Sequence, residues 1–390
     1  MEGCCTTSYA VLDVETTIFQ KGNPYADRNR LCYVGVRIGG VNHTFTIDVG
    51  GRPYSGAISE ILALLADVER VVVFNGKFDL AWCHRYGIDL SDREIWDVQL
   101  GEFLLNHQST PYPSLDQALL KYGLEPKDPT IENEYWSVGI DTDAIPPDKI
   151  LSYLGGDLEK TDAIYRLQLE SLSSSLRVLH RLQCQDLLVL LEMERNGILF
   201  NFEAMRREES TLTQDLSRMD GTVRDFAGGW PHFNPDSGDH LSQLLYGGTI
   251  SVDVAEPYEH TYKSGPKAGT TETRNRWVVE SKSYPRLVQP LQGSELKKPG
   301  FYSTEESTLL KLRPRARELI DALLNRSKVE KLLSTYLVGI PAHLEKYDWQ
   351  DGLIHGTINQ CVAITGRLSA TKPNQQNFPP EVTKFITSRF

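Results

Sequence analysis

Two acids one residue apart, Asp13 and Glu15, follow the run Tyr9-Ala10-Val11-Leu12 near the start of the sequence. On a β-strand the side chains at i and i+2 share a face, so both carboxylates would stand together at a strand end. Like charges that close are unfavourable unless a cation lies between them, and hard oxygen ligands favour Mg²⁺ or Mn²⁺. The plainer alternative is a strand end with two solvated acids. Asp79 comes next, after the run Val71-Val72-Val73-Phe74 and within Asn75-Gly76-Lys77-Phe78-Asp79. It falls at the start of a helix that follows a strand, where an acid is favourable as an N-terminal cap in any case. Tyr153 and Asp157 are four apart in Tyr153-Leu154-Gly155-Gly156-Asp157, so phenol and carboxylate share a helix face, as a working pair or a surface pair. Two mid-helix glycines cost about 1 kcal/mol each relative to alanine, and a close approach to the backbone is expected there.

These groups need a sheet and helices to position them. Segments Cys32 to Ile38 and His43 to Ile47, split by Gly39-Gly40, read as a hairpin extending the first strand. A short helix over 58–66, a buried strand over 70–74 and helices over 80–86, 96–105 and 114–122 complete a mixed α/β pattern. Residues 126–148, with Pro126, Pro129, Pro146 and Pro147, read as an exposed loop before a helix over 149–172. Ser171 to Ser175 is the expected boundary. An amphipathic helix over 176–195 ends at Asn196-Gly197, and a second long helix covers 202–226. Residues 247–301 lose periodicity and read as an irregular insertion or mobile loop. Helical patterns resume over 307–337, and short strands follow over 353–364.

A chain of 390 residues is long enough for two or three domains. No apolar run approaches the roughly 18 residues that span a bilayer, and the start has neither a basic nor an apolar signal region. The expectation is a cytoplasmic protein without membrane contact. Six scattered cysteines form no CxxC pair, which speaks for reduced thiols and against zinc; Cys4 and Cys5 fall in a terminal tail. Net charge is −11, but unevenly spread: residues 1–170 carry 14 basic and 26 acidic side chains, the remaining 220 carry 27 and 26. An acidic first half repels phosphate unless metals and a local groove compensate, so composition permits a nucleic-acid enzyme without requiring one.

In this order and spacing, Asp13-x-Glu15, Asn75-x-x-x-Asp79 and Tyr153-x-x-x-Asp157 resemble the three exonuclease motifs of the DEDDy proofreading exonucleases of the ribonuclease-H-like superfamily. The resemblance implies a five-stranded mixed sheet flanked by helices. It also implies two divalent cations, Mg²⁺ or Mn²⁺: one with its water on Asp13, Glu15 and Asp157, a second on Asp13 with Asp79 nearby. Two such ions offset the charge of a phosphodiester and of its transition state. Tyr153 would orient the attacking water, because a phenol near pKa 10 is a poor base. Asn75 is expected on the DNA.

The second half resembles family A DNA polymerases. Leu191-Glu192-Met193-Glu194-Arg195-Asn196-Gly197-Ile198 and Phe233-Asn234-Pro235-Asp236-Ser237 look like thumb-region sequence. Thr365-Gly366-Arg367-Leu368-Ser369 with Pro373-Asn374-Gln375-Gln376-Asn377-Phe378-Pro379 resembles the family's TGRLS and PNLQNIP signature, Gln375 and Phe378 standing where Leu and Ile are usual. Arg326, Lys328 and Lys331 are expected to track duplex phosphates unless they form a merely solvated face, and Arg367, Asn374 and Gln376 to meet the primer-template. The expected organisation is an exonuclease domain over 1–175, a mainly helical thumb over 176–340 with the insertion at 247–301, and an incomplete palm over 341–390. A compact exonuclease joined directly to a thumb is the bacteriophage arrangement. The palm carboxylates and fingers helix of the family lie beyond the sequence given, so the expectation is a proofreading 3′-5′ exonuclease completed for synthesis by a separate C-terminal polymerase subunit. The alternative is a non-catalytic DNA-binding scaffold subunit of such a split polymerase.

Overall fold

Strand β1 (Tyr9–Thr16) carries the first unit of the fold. The computed structural model describes residues 8–389; Cys4 and Cys5 lie outside them. On one face of β1, Ala10, Leu12 and Val14 join Val34, Val36, Val71 and Val73 in a single core. On the other, Val11 packs with Val72, Leu158 and Ile164. Tyr9, Asp13 and Glu15 share that second face, so period-two alternation fixes the side to which both acids project.

Around β1 the sheet is built by β2 (Leu31–Ile38), β3 (Val41–Thr46), a small pair β4 (Asp48–Val49) and β5 (Arg52–Pro53) beside it, then β6 (Arg70–Val73) and β7 (Glu94–Asp97). The main sheet has five strands in the order β3-β2-β1-β6-β7. Strand β1 is antiparallel to β2 and parallel to β6, and β6 is parallel to β7, giving the mixed sheet expected. Helices α1 (Ala57–Leu64) and α2 (Gly76–Arg85) bury Ile61, Leu80 and Trp82 on the first face. Helices α3 (Val98–Leu105), α4 (Leu115–Lys121), the short α5 (Thr130–Glu134) and α6 (Pro147–Ser171) follow; α4 and α6 cover the second face through Leu115, Leu119, Leu158 and Tyr165. Pro147 at the first turn and Asp148 behind it suit the start of α6.

Two expectations change here. Residues 126–148 are not simply an exposed loop: Ile131 and Ile145 are buried with Tyr33, Ile150 and Leu154, and Trp136 packs on that cluster. Helix α7 (Ser174–Asn196), capped by Ser173, also returns Cys184 and Leu187 to the first core. The compact units accordingly divide as 1–202 with 339–390, and 203–338, so α7 belongs with the first unit instead of beginning a thumb at residue 176. Its end at Gly197, φ +62°, releases the chain into β8 (Ile198–Phe200).

In the second unit α8 (Phe202–Phe226) and α9 (Gly238–Tyr246) lead to a hairpin of two 14-residue strands, β9 (Gly248–Thr261) and β10 (Thr271–Tyr284). The stretch 247–301 is therefore not irregular over most of its length. Ile250 and Tyr284 anchor the hairpin in a core with Phe233, Leu245 and Leu323. Beyond that base both faces meet water, Trp277 being 71% and Val279 69% exposed, so the hydrophobic alternation that announces a half-buried strand is missing. Cross-strand hydroxyl pairs, Thr249 with Ser283 at 2.8 Å and Ser251 with Ser281 at 2.7 Å, hold it instead. Helices α10 (Glu306–Leu312) and α11 (Arg317–Lys331) follow, and a π-helical segment, Leu332–Val338, ends this unit.

Residues after 338 return to the first unit as α12 (Gly339–Tyr347), β11 (Leu353–Ile354), β12 (Thr357–Asn359), β13 (Ser369–Thr371) and β14 (Ile386–Thr387). A small three-stranded sheet runs β11-β8-β14. Among the described residues no helix is long and apolar enough to cross a membrane.

Candidate active site

Asp13 stands opposite Gly35 and Glu15 opposite Tyr33 in the β1–β2 ladder. A Cβ at Gly35 would come within 2.8 Å of Leu158 Cδ1 and 2.9 Å of Leu154 Cγ. The missing side chain therefore lets α6 lie on the sheet where the two acids emerge, and its Tyr153-to-Asp157 face comes down on them. The close approach expected at the α6 glycines lies mainly at Gly35. A Cβ at Gly155 would meet only Asn42 Nδ2, at 3.2 Å, and one at Gly156 only Lys160 Nζ, at 3.4 Å.

Asp13, Glu15 and Asp157 each offer an oxygen within 4.8 Å of the others. Glu15 and Asp157 are buried and Asp13 is half-buried. Burial, and then repulsion from Asp157, pushes Asp13 up to about 7 against the pull of Lys127. Burial followed by the Asp13 and Asp157 charges also holds Glu15 well above the usual carboxylate range. Crowded acids that resist ionisation are the electrostatic mark of a site short of positive charge. Three converging carboxylates form a hard-oxygen donor set that fits Mg²⁺ or Mn²⁺.

Asp79, 2% exposed, sits in the first turn of α2 as expected. Burial raises it well above the usual range, with the Asp13 and then the Asp97 charge adding to the shift. It is thus a neighbour of Asp13, outside the tight trio. It does not cap α2. Asn75, with φ +59°, gives no side-chain cap, and the Gly76 N–H donates instead to Asp97 Oδ2 at 2.7 Å. Gly76 is obligatory at this turn, since a Cβ would lie 2.2 Å from Val73 Cγ2.

Tyr153 packs edge-on to Trp136, ring centroids 5.6 Å apart at 87°. Burial, then the Asp157 charge, raises its phenol above the ordinary value, so it stays protonated and can act only as a hydrogen-bond donor or through its own lone pairs. Lys127 is the site residue that sequence reasoning missed. Its ammonium is ion-paired with Asp157 Oδ2 and lies 4.9 Å from the Tyr153 ring centroid. The available signal was a lysine between two prolines in a strongly acidic half of the chain.

Beside the carboxylate cleft lies a second one, sharing Lys21 and Phe78 with it and lined also by Gln20, Asn75, Lys77 and Lys372. Gln20, Lys21, Asn75 and Lys372 all have left-handed backbone, φ +50° to +63°, a conformation that non-glycine residues hold only under constraint. Lys77 is committed, to Glu194 Oε1 at 2.5 Å and to the Ile358 carbonyl. Burial and the Lys21 charge lower Lys372 against the pull of Glu194, with Lys346 adding to the repulsion. An excess of mutually repelling ammonium groups suits a phosphate chain.

Asn75 thus lines the cleft next to the acids. Arg367 and Asn374 are exposed in the same unit, and Gln376 donates to the Leu368 carbonyl at 3.3 Å. In the other unit Lys328 and Lys331 are exposed on α11. Arg326 corrects the expectation of a phosphate contact. It is 6% exposed and clamped between Asp220, 2.5 Å from Nε, and Asp236, 2.6 Å from Nη2. With its donors spent on these acids, it ties α8 to α11 and the segment before α9.

Residues 282–389 match the model of DNA polymerase family A. Among similar curated proteins, DNA polymerase I of Synechocystis sp. is 25% identical over 315 residues, 79% of this chain and 27% of that protein. DNA polymerase I of Bacillus subtilis is 23% identical over 316 residues, covering 80% and 30%. The DNA polymerase of Bacillus phage SP01 is 23% identical over 341 residues, covering 84% and 36%. The chain thus spans about a quarter to a third of these relatives. A solved structure, the POL domain of Pol1 from M. smegmatis in complex with DNA primer-template and dNTP, aligns with 96% of this chain and 53% of that one. Its TM-score is 0.64 at 17% identity, a likeness of fold. The chain is related to the family A DNA polymerases.

Proposed function

We propose that this chain is a 3′-5′ proofreading exonuclease of the DEDDy kind, in a ribonuclease-H-like fold, joined to DNA-holding segments of a family A polymerase. The observation that carries the reading is the convergence of Asp13, Glu15 and Asp157 within 4.8 Å, reached from one strand and one helix. Asp13, Glu15 and Asp157 would hold one Mg²⁺ or Mn²⁺ and Asp13 with Asp79 a second. Such ions supply an activated water and offset charge on the attacking and leaving oxygens. The protonated Tyr153 orients that water by hydrogen bonding and does not take its proton. Lys21 and Lys372 draw the phosphates of a single-stranded 3′ end towards the acids, while Arg367, Asn374, Gln376, Lys328 and Lys331 hold primer-template DNA.

The test is release of nucleotides from a labelled 3′ end in Mg²⁺ or Mn²⁺, wild type against Asp13→Ala. Loss of at least a hundredfold in the variant is expected, in the range of removing one electrostatic contributor, about 10²–10³. Equal rates would exclude the site.

A second reading, a DNA-binding scaffold with an idle site, is favoured by one observation, the Lys127–Asp157 ion pair that already neutralises part of the cluster. DNA binding by wild type with no metal-dependent trimming selects it. A polymerase polypeptide, as in a phage-type split polymerase, is also proposed as a partner of the small β11-β8-β14 sheet. The two-residue outer strands β11 and β14 leave edges that a partner strand can extend. Co-expression with such a polypeptide should restore synthesis and co-purify both; failure of both removes the partner.

A further inference from the structure

Lys127 is the one cation in direct contact with the acid trio among the ion pairs described. Its backbone is pinned outside the site, the Lys127 N–H donating to Asp116 Oδ1 at 2.8 Å, and Pro126 and Pro129 limit how far the segment can shift. The side chain is 28% exposed and reaches in over the Tyr153 ring. Its charge also acts on Asp13 and Glu15, lowering both against the burial that raises them.

That charge sits on Asp157, a carboxylate that a divalent ion also needs. The two cations compete for its negative charge. Lysine differs from arginine in being a compact charge on a flexible four-carbon stem with no planar fork to hold it to a carboxylate. Its stem lines the same cleft, beside the Tyr153 phenol, so a displaced ammonium has room to stay at the cleft mouth.

Resting on the exonuclease reading above, we propose that Lys127 is a resident counter-cation that yields Asp157 to a divalent ion and then binds a non-bridging oxygen of the scissile phosphate. It is thus both a competitor of the metal and a catalytic residue. The two roles predict opposite signs, a combination that a merely structural ion pair would not produce.

The experiment uses the full chain with Mn²⁺ as the metal. Affinity is read by calorimetry or by electron paramagnetic resonance of free Mn²⁺, and turnover on a labelled single-stranded 3′ end at saturating metal. Lys127→Met should bind Mn²⁺ about tenfold tighter, a charge having been removed from beside the trio, yet turn over about a hundredfold more slowly. Lys127→Arg keeps the charge; it should show wild-type Mn²⁺ affinity within about threefold and turnover between the two. Unchanged affinity or unchanged turnover in Lys127→Met overturns the proposal. If thermal melting shows Lys127→Met unfolded, Lys127→Gln takes its place under the same criteria. Should wild type trim no 3′ end, the exonuclease reading fails and with it the phosphate role, while the Mn²⁺ arm still decides the competition. If wild type trims and Lys127→Met equals it in both arms, only Lys127 is overturned.

Discussion

Gly35 of β2 and Leu158 of α6 touch so closely that a Cβ on the glycine would sit 2.8 Å from Leu158 Cδ1. The contact is a packing fact with a consequence for the acid trio, because Gly35 pairs with Asp13 while Leu158 follows Asp157. Gly35→Ala must push α6 outward or force Leu154 and Leu158 from their rotamers. Overpacking of this kind costs about 1–3 kcal/mol, and an outward shift near 1 Å takes Asp157 from the trio. The expected outcome is a folded protein with a lower melting temperature, and a loss of 3′-end trimming much larger than any loss of duplex DNA binding. Circular dichroism melting, a trimming assay and fluorescence anisotropy together check it. Trimming at the wild-type rate would show that α6 is not positioned by this glycine.

Acid crowding gives the metal-free protein an unusual pH dependence. Asp13, pushed to about 7 from an ordinary 3.8, binds more protons folded than unfolded between those values. Stability therefore falls as pH rises through this window, and above about 7 the contribution of the protonated form is gone. Glu15 and Asp79, both raised, act with the same sign. The melting temperature in a chelator should drop from pH 5 to pH 8, and Mg²⁺ should raise it more at pH 8 than at pH 5. In Asp13→Asn the slope should flatten and the metal effect shrink. A chelated wild type that melts higher at pH 8 than at pH 5 contradicts this account.

Arg326 and its neighbours on α11 separate structure from binding. Replacing Arg326 by Met strips the partner from Asp220 and Asp236, whose side chains are 21% and 65% exposed. The more exposed acid loses little, so the cost is about 1–3 kcal/mol, below the range for a fully buried pair. The melting temperature should fall while the salt dependence of DNA binding stays as in wild type. Lys328→Ala and Lys331→Ala should do the reverse, each lowering the slope of log affinity against log salt by about one with no change in melting. An anisotropy titration across salt concentrations distinguishes the two classes.

How much of this was legible follows the distance between partners. Asp13 with Glu15, and Tyr153 with Asp157, are linked by the periods of strand and helix, so their sides could be read directly. Asp79 was legible as a residue of the first helical turn after a strand. Lys127 was not, since its segment has no period and its partner Asp157 is thirty positions on across a fold the local sequence does not describe. Arg326 looked like one of three basic neighbours because Asp220 and Asp236 are 106 and 90 residues away. The β9–β10 hairpin was hidden for a different reason. Outside its base it buries neither face, so nothing in the side-chain pattern distinguishes it from coil, and its hydroxyl pairs depend on a register that only the folded ladder supplies.

The lysine cleft yields the last prediction. Lys21 and Lys372 belong to segments more than three hundred residues apart, yet both line one cleft with left-handed backbone, φ +61° and +63°. Constraint of that order, about 1–3 kcal/mol each, persists where the surroundings over-determine it. On the exonuclease reading, mutual repulsion there would be relieved by a phosphate backbone. Lys372→Ala and Lys21→Ala should each raise KM for a single-stranded 3′ end by about fivefold to tenfold, the loss of one phosphate contact, with kcat at saturation unchanged because, among the described ion pairs, the trio is paired with Lys127 and not with either of these lysines. Lys372→Gly would relax the backbone as well as remove the charge, so it should combine the same rise in KM with a melting temperature at or above that of Lys372→Ala. Steady-state trimming kinetics at low salt read the first effect and thermal melting the second. A fall in kcat with KM unchanged would move these lysines from holding the strand to the chemistry itself.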